Sequence, residues 1–227
     1  MKRIVTTLAL LALCASTSFA ANALRISQVY GGGGGSTGTY LRDYVEIFNS
    51  SSSDIDISGY ALEYGSATGN WGSATTNYFV FPAGAKVKAC SYLLIECGAT
   101  GTAGGTLPVT ADYVTTAISA SATNGKMALF TALNSNIVCG SETGLLDKVA
   151  YGTGTCAEGT AVGALNATNV AVRNNGGLTD TDANNSDFTI TATSSTTPRN
   201  SASAINPGCT VVPTRKSNWG AVKAIYR

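Results

Sequence analysis

The chain has 227 residues, room for one domain, or at most two small ones, with a sizeable core. Charged residues supply only 12% of it, hydrophobics an ordinary 44%, and glycine reaches 26 residues, a balance that suits short strands and tight turns and disfavours long, charged surface helices. The net charge is close to zero at +1 and there is no histidine, which removes His-based acid–base catalysis, Ser-His-Asp and Cys-His nucleophiles, and every His-ligated zinc or haem site.

Residues 1–23 read as a secretory signal peptide: Lys2 and Arg3, an apolar run from Ile4 to Ala15, then small residues that permit cleavage after Ala20 or after Ala23. The apolar run is shorter than the roughly 20 residues a membrane-spanning helix needs, and Leu13 stands where lipidation of Cys14 would want a small residue. No later stretch approaches spanning length, so the expected localisation is secreted, at the cell surface or extracellular, with the periplasm as a further compartment. Without this leader, residues 24–206 carry 8 basic and 13 acidic groups, whereas residues 207–227 carry Arg215, Lys216, Lys223 and Arg227 and no acid. An acidic body disfavours phosphate contacts, so no nucleic acid partner is expected.

Leu24 to Tyr30 is a first strand, and Gly31 to Gly35 after it read as a flexible loop. Asp43 to Asn49, dense in β-branched and aromatic residues, is the clearest strand in the chain. Ile55, Ile57 and the run Gly59 to Tyr64 form another, and a Gly, Ser and Asn-rich loop covers 65–76. Strands follow at Tyr78 to Phe81, at Lys86 to Lys88 leading into Tyr92 to Ile95, and at Tyr113–Val114, Lys126 to Phe130, Leu145 to Tyr151 and Val170 to Arg173. Some eight or nine short strands at irregular spacing predict an all-β, two-sheet sandwich. Beyond Pro207, Ser217 caps a short amphipathic helix in which Trp219, Val222, Ile225 and Tyr226 share a face.

Five cysteines follow the leader, and in an exported chain they predict two disulfides and one leftover thiol. Cys90 and Cys97 bracket a strand that holds them roughly 20 Å apart, too far to bond. Cys139 with Cys156 is the expected pair.

Several side chains carry alternative readings. Asp180, Asp182, Asn184 and Asp187 offer four oxygen-bearing groups within eight residues, either a structural calcium clip or a loop held by Asx-turn hydrogen bonds; the Gly and Glu of an EF-hand are replaced by Asn185 and Thr191. Glu46, mid-strand among large apolar residues, is a catalytic carboxylate, a buried anchor, or a solvent-facing group. Asp43 and Asp147 open strands and read as turn caps. The glycine run lacks the Gly-Lys-Ser/Thr of a phosphate loop. Tyr40, Tyr64, Trp71 and Tyr78 lie in or beside loops, where exposed aromatics grip a sugar or protein partner or else seal the core edge; Tyr40, Trp71 and Trp219 are the candidate partner contacts. The basic tail either contacts the envelope or packs on the domain itself.

Ile26 to Tyr30 before the glycines, Asp43 to Asn49, Asp56 to Tyr60, Asp147 to Gly152, Cys156 to Gly159, Asp180 to Phe188 and Pro198 to Asn200 occur in the order found in the lamin tail domain family, and the chain resembles the bacterial secreted branch of that family over about residues 24–201. The resemblance implies an immunoglobulin-like β-sandwich and a non-enzymatic module at the cell surface or beside secreted hydrolases and nucleases, and it supplies no ligand. Gly176 to Thr179 stand where bacterial members often have a cysteine before Asp180, so no disulfide pattern transfers. Together these readings predict a domain over 24–206 that binds a protein or polysaccharide of the envelope or extracellular matrix, followed by a tail over 207–227. The alternatives are an accessory or non-His hydrolase of extracellular polysaccharide or nucleic acid, and a calcium-stabilised matrix protein.

Overall fold

The computed structural model describes residues 22–72 and 75–210. The expected leader up to residue 21 and the expected tail helix with Trp219 lie outside these residues. In chain order the strands are β1 (Leu24–Tyr30), β2 (Asp43–Asn49), β3 (Ile55–Asp56), β4 (Ala61–Gly65), β5 (Tyr78–Val80), β6 (Lys86–Val87), β7 (Tyr92–Cys97), β8 (Tyr113–Thr115), β9 (Gly125–Phe130), β10 (Leu145–Tyr151), β11 (Asn169–Arg173) and β12 (Phe188–Ala192), with one helical turn, α1 (Asn184–Asp187), before the last. They form a six-stranded sheet ordered β12-β11-β1-β2-β7-β8, a four-stranded sheet ordered β10-β9-β4-β5, and a β3-β6 ribbon. All neighbours are antiparallel except β7 and β8. This is the all-β, immunoglobulin-like two-sheet sandwich the sequence predicts.

Alternation along each strand builds the central core. Ile26, Val29, Val45, Ile47, Leu93 and Ile95 of the large sheet meet Leu62, Met127, Leu129, Val149 and Tyr151 of the small one, all buried. Yet every residue of β2 is buried, including those on the opposite face. The reason is that both outer faces are covered as well. Outside the large sheet, Tyr30 stacks on Tyr44 at 5.5 Å between ring centroids, Tyr40 meets Tyr30 edge-on, and Leu94, Leu107 and Val170 complete the cluster. Outside the small sheet, Trp71 packs edge-on against Phe130 above Ala128.

The glycine run differs from the flexible loop expected of it. A side chain at Gly31 would meet the Ser121 carbonyl oxygen at 2.3 Å, at Gly32 the Ala167 Cα at 2.6 Å, and at Gly33 the Arg42 carbonyl carbon at 1.9 Å. These glycines are there because other backbone passes against them. Strand β12 escapes the sequence reading because Phe188 to Ala192 follow directly on the acidic loop and carry no turn signal between. Two disulfides form, Cys139–Cys156 as expected and Cys90–Cys209, and Cys97 is left as the buried free thiol. Cys90–Cys209 spans 119 residues, which at that loop length stabilises the fold by about 4–5 kcal/mol through the unfolded chain. It also ties Cys209, three residues past the expected boundary at 206, to the body.

Candidate functional site

The site grows from an irregularity in β1. Register with β2 slips between Ile26 and Gln28, so Ser27 is an extra residue and Val29 returns to the core. The bulge sets the side chains of both Ser27 and Gln28 beside Glu46. Glu46 is fully buried. Its Oε1 accepts hydrogen bonds from Ser27 Oγ (2.6 Å) and Arg199 Nη2 (2.6 Å), and its Oε2 from Gln28 Nε2 (3.2 Å), the Arg199 backbone N–H (2.6 Å) and Arg199 Nε (3.1 Å). Burial raises its pKa and the Arg199 guanidinium opposes that rise. Glu46 is therefore the buried anchor among the three readings, with every lone pair that would serve catalysis or solvent already used.

Arg199 carries this anchor to the surface. Its guanidinium lies 3.7 Å over the Tyr92 ring and its Nη1 donates to the Tyr92 hydroxyl at 2.7 Å, while Phe48 packs against the same ring at 4.9 Å. The Tyr92 hydroxyl donates to the Gly176 carbonyl, and Asn206 Nδ2 donates to the carbonyls of Asn175 and Gly176 at 3.0 Å each. These groups, with Leu178 and Pro207, wall an open cleft of about 570 Å³. The Arg199 side chain is 24% exposed there. Its described lining presents a guanidinium, the Tyr92 phenol, two side-chain amides and the apolar side chains of Leu178 and Pro207, a mixture of hydrogen-bonding and apolar groups.

The acidic loop is built differently from a calcium clip. Arg173, fully buried, stands where a cation would. Its Nη2 donates to both Asp147 oxygens at 2.7 and 2.8 Å, its Nη1 to Asp180 at 3.3 Å with Asp187 at 3.5 Å, and its Nε to the Ile26 carbonyl at 2.9 Å. Arg25 adds a second ion pair to Asp180 at 3.0 Å. Asp187 accepts from the N–H and hydroxyl of Thr181, six residues earlier, so the loop is closed by side-chain hydrogen bonds of longer reach than the Asx turns expected. Asn184 accepts from Ala150 N–H and donates to the Lys148 carbonyl, which plugs the open edge of β10, and donates also to Glu158 Oε2 at 3.2 Å. Asp182 faces solvent. The four predicted ligands thus do not converge, and the carboxylates that do come together are Asp147, Glu158 and Asp180, around the guanidinium. Asp147 is accordingly an ion-pair partner rather than a strand cap. Asp43 is the cap expected: it accepts from Gly33 and Ala120 N–H groups, and burial pushes its pKa up to about 7.

The aromatic contacts need a correction too. Tyr40 is 9% exposed and Trp71 is 0% exposed, because each closes an outer-face cluster, so neither ring is free to meet a partner; Trp219 lies outside the described residues. Conversely, Arg173, Lys126, Tyr92 and Asn206 were not singled out in the sequence. A lone cation within an apolar strand was the available signal for the first two, and for Arg199 it was the run Pro198 to Asn200.

The family profile described as Lamin Tail Domain matches residues 17–221. None of the curated proteins matches the chain. Among solved structures, a DUF4876 family protein from Bacteroides thetaiotaomicron VPI-5482 aligns with a TM-score of 0.49 and 14% identity, over 86% of this chain and 75% of that one.

Proposed function

We propose that this chain, which belongs to the Lamin Tail Domain family, is an exported, non-enzymatic interaction module that binds a protein or polysaccharide of the cell envelope or extracellular matrix through the cleft at Arg199 and Tyr92. The observation that carries the reading is the chemistry of that cleft. A stacked guanidinium, an amide-lined wall and two apolar side chains give shape and hydrogen-bonding specificity, and the one carboxylate beneath them, Glu46, is consumed by its own anchor. Two disulfides support an oxidising compartment, and among the described residues no helix is long and apolar enough to cross a membrane. The excess of acid over base in residues 24–206 argues against nucleic acid as the partner.

The test uses purified protein on isolated envelope and on arrayed polysaccharides. Leu178→Glu, which adds a charge to the cleft wall without touching the Glu46–Arg199 pair, is expected to lower binding at least tenfold with an unchanged melting temperature. Equal binding by this variant refutes the cleft, and turnover of an arrayed polymer refutes the non-enzymatic reading. The role of the tail is read by fractionating cells that express the full chain or a chain ending at Thr210, a cut that preserves Cys90–Cys209.

A further inference from the structure

The outer face of the four-stranded sheet holds an unusual cation. Lys126 of β9 is fully buried, its stem passing over Gly65, where a Cβ would lie 2.6 Å from Lys126 Cε. Its Nζ is 3.2 Å from Thr155 Oγ1, 3.2 Å from Cys156 Sγ, 3.8 Å from Cys139 Sγ and 5.1 Å from the Trp71 ring centroid. Among the described residues it makes no ion pair; the nearby Glu142 carboxylate instead takes Lys148 Nζ at 3.3 Å, Trp71 Nε1 at 3.2 Å and the Gly140 N–H at 2.6 Å. Burial lowers the Lys126 pKa and the Glu142 charge opposes that fall, so a buried ammonium held without a direct ion pair faces a disulfide.

The two sulfurs of that disulfide are not equivalent. Cys139 is exposed, whereas Cys156 is half-buried and nearer the ammonium. Thiol–disulfide exchange is governed by access to the attacked sulfur and by the stability of the thiolate that leaves. A neighbouring lysine stabilises a thiolate. The other disulfide has the opposite surroundings: Cys90 is fully buried, and the described neighbours of its sulfurs are the carbonyl oxygens of Ser50 and Ser51, which repel a thiolate.

We propose that Cys139–Cys156 is a directional exchange site for low-molecular-weight thiols. The thiolate of the incoming molecule attacks Cys139 Sγ, a new S–S bond forms there, the Cys139–Cys156 bond breaks, and its electron pair leaves on Cys156 Sγ beside the Lys126 ammonium. A second thiolate of the same kind attacks the small-molecule sulfur of the mixed disulfide, releasing Cys139 as a thiolate and the oxidised small-molecule disulfide, so the protein gains two electrons and two thiols lose them. The segment freed is the one that pairs Ile137 with Trp71. Exchange at this site therefore acts on the cap over the small sheet and leaves the Arg199 cleft, tied by Cys90–Cys209, intact.

The experiment treats the folded protein with glutathione, quenches with acid and maps adducts by peptide mass spectrometry. The first adduct is expected on Cys139, with Cys139–Cys156 opening at least about tenfold faster than Cys90–Cys209. Lys126→Met is expected to slow the opening about fivefold to tenfold, and Lys126→Arg, which keeps the cation, to slow it less than about twofold. A first adduct on Cys156, equal rates for the two disulfides, or an unchanged rate in a folded Lys126→Met protein overturns the proposal. If Lys126→Met does not fold, adduct position and relative rate in the unaltered protein decide it.

Discussion

Replacing Arg173 with Met tests the reading of the acidic loop most directly, because the side chain keeps its approximate bulk and loses only the guanidinium. In the native protein that group neutralises Asp147 and Asp180, approaches Asp187, donates to the Ile26 carbonyl and sits 4.5 Å over the Phe188 ring. Removing one partner of a buried ion pair costs about 3–5 kcal/mol, a large part of a typical stability of about 5–15 kcal/mol. For a domain of this size the melting temperature should fall by about 6–20 °C, at roughly 2–4 °C per kcal/mol. The loss has a pH signature. Burial raises the pKa of Asp147 and of Glu158, and the Arg173 charge opposes both rises; without it the folded-state values climb further. A carboxyl whose folded pKa lies above its unfolded value binds more protons when folded, so its stability contribution falls as pH rises between the two values. The variant should therefore lose more stability at pH 8 than at pH 5, by at least about 1 kcal/mol, since one pKa unit is worth about 1.4 kcal/mol. Urea unfolding of both proteins at the two pH values, with disulfides intact, measures this. A loss below about 1 kcal/mol at pH 8, or the same loss at both, refutes the claim that the guanidinium serves as the cation of this loop.

Three further outcomes are expected. Because Arg173 and Arg25 already neutralise the loop, the melting temperature of the native protein should not respond to calcium or EDTA; a rise of several degrees with calcium would restore the clip formed by Asp180, Asp182, Asn184 and Asp187. Cys97 is fully buried, and its thiol is pushed far above the ordinary range chiefly by desolvation, so a thiol reagent should leave it unmodified until the protein unfolds, and rapid labelling of the folded protein would contradict this. If the leader is cleaved, the first residue of the exported chain should be Ala21. Asn22 Nδ2 donates to the Leu146 carbonyl and the Ala23 carbonyl accepts from Ser50 N–H and Oγ, so cleavage after Ala23 would discard these bonds and put a charged amine on buried Leu24; N-terminal sequencing that begins at Leu24 would count against the argument.

Much of the fold was legible because it is written locally. Alternation in Leu24 to Tyr30 and Asp43 to Asn49 predicts strands, few charges and many glycines predict turns rather than helices, and the cysteine spacing around one strand predicts Cys139 with Cys156. The sequence also excluded histidine chemistry outright. What it left open was decided by groups distant along the chain. Whether Glu46 is free or bound depends on Arg199, 153 residues away, and on a one-residue bulge that periodicity does not reveal. Whether the acidic loop holds a metal depends on Arg173 and on Asp147 from another sheet. Whether Tyr40 and Trp71 are exposed depends on loops that cover faces a two-layer sandwich would leave wet. The sequence by itself determined most of the strands, the fold class and the absent histidine chemistry, since these follow from backbone preference, burial pattern and composition. Only the tertiary structure decided which charges meet, because the desolvation and pairing that set a buried ion's role depend on what the fold brings within a few ångströms of it.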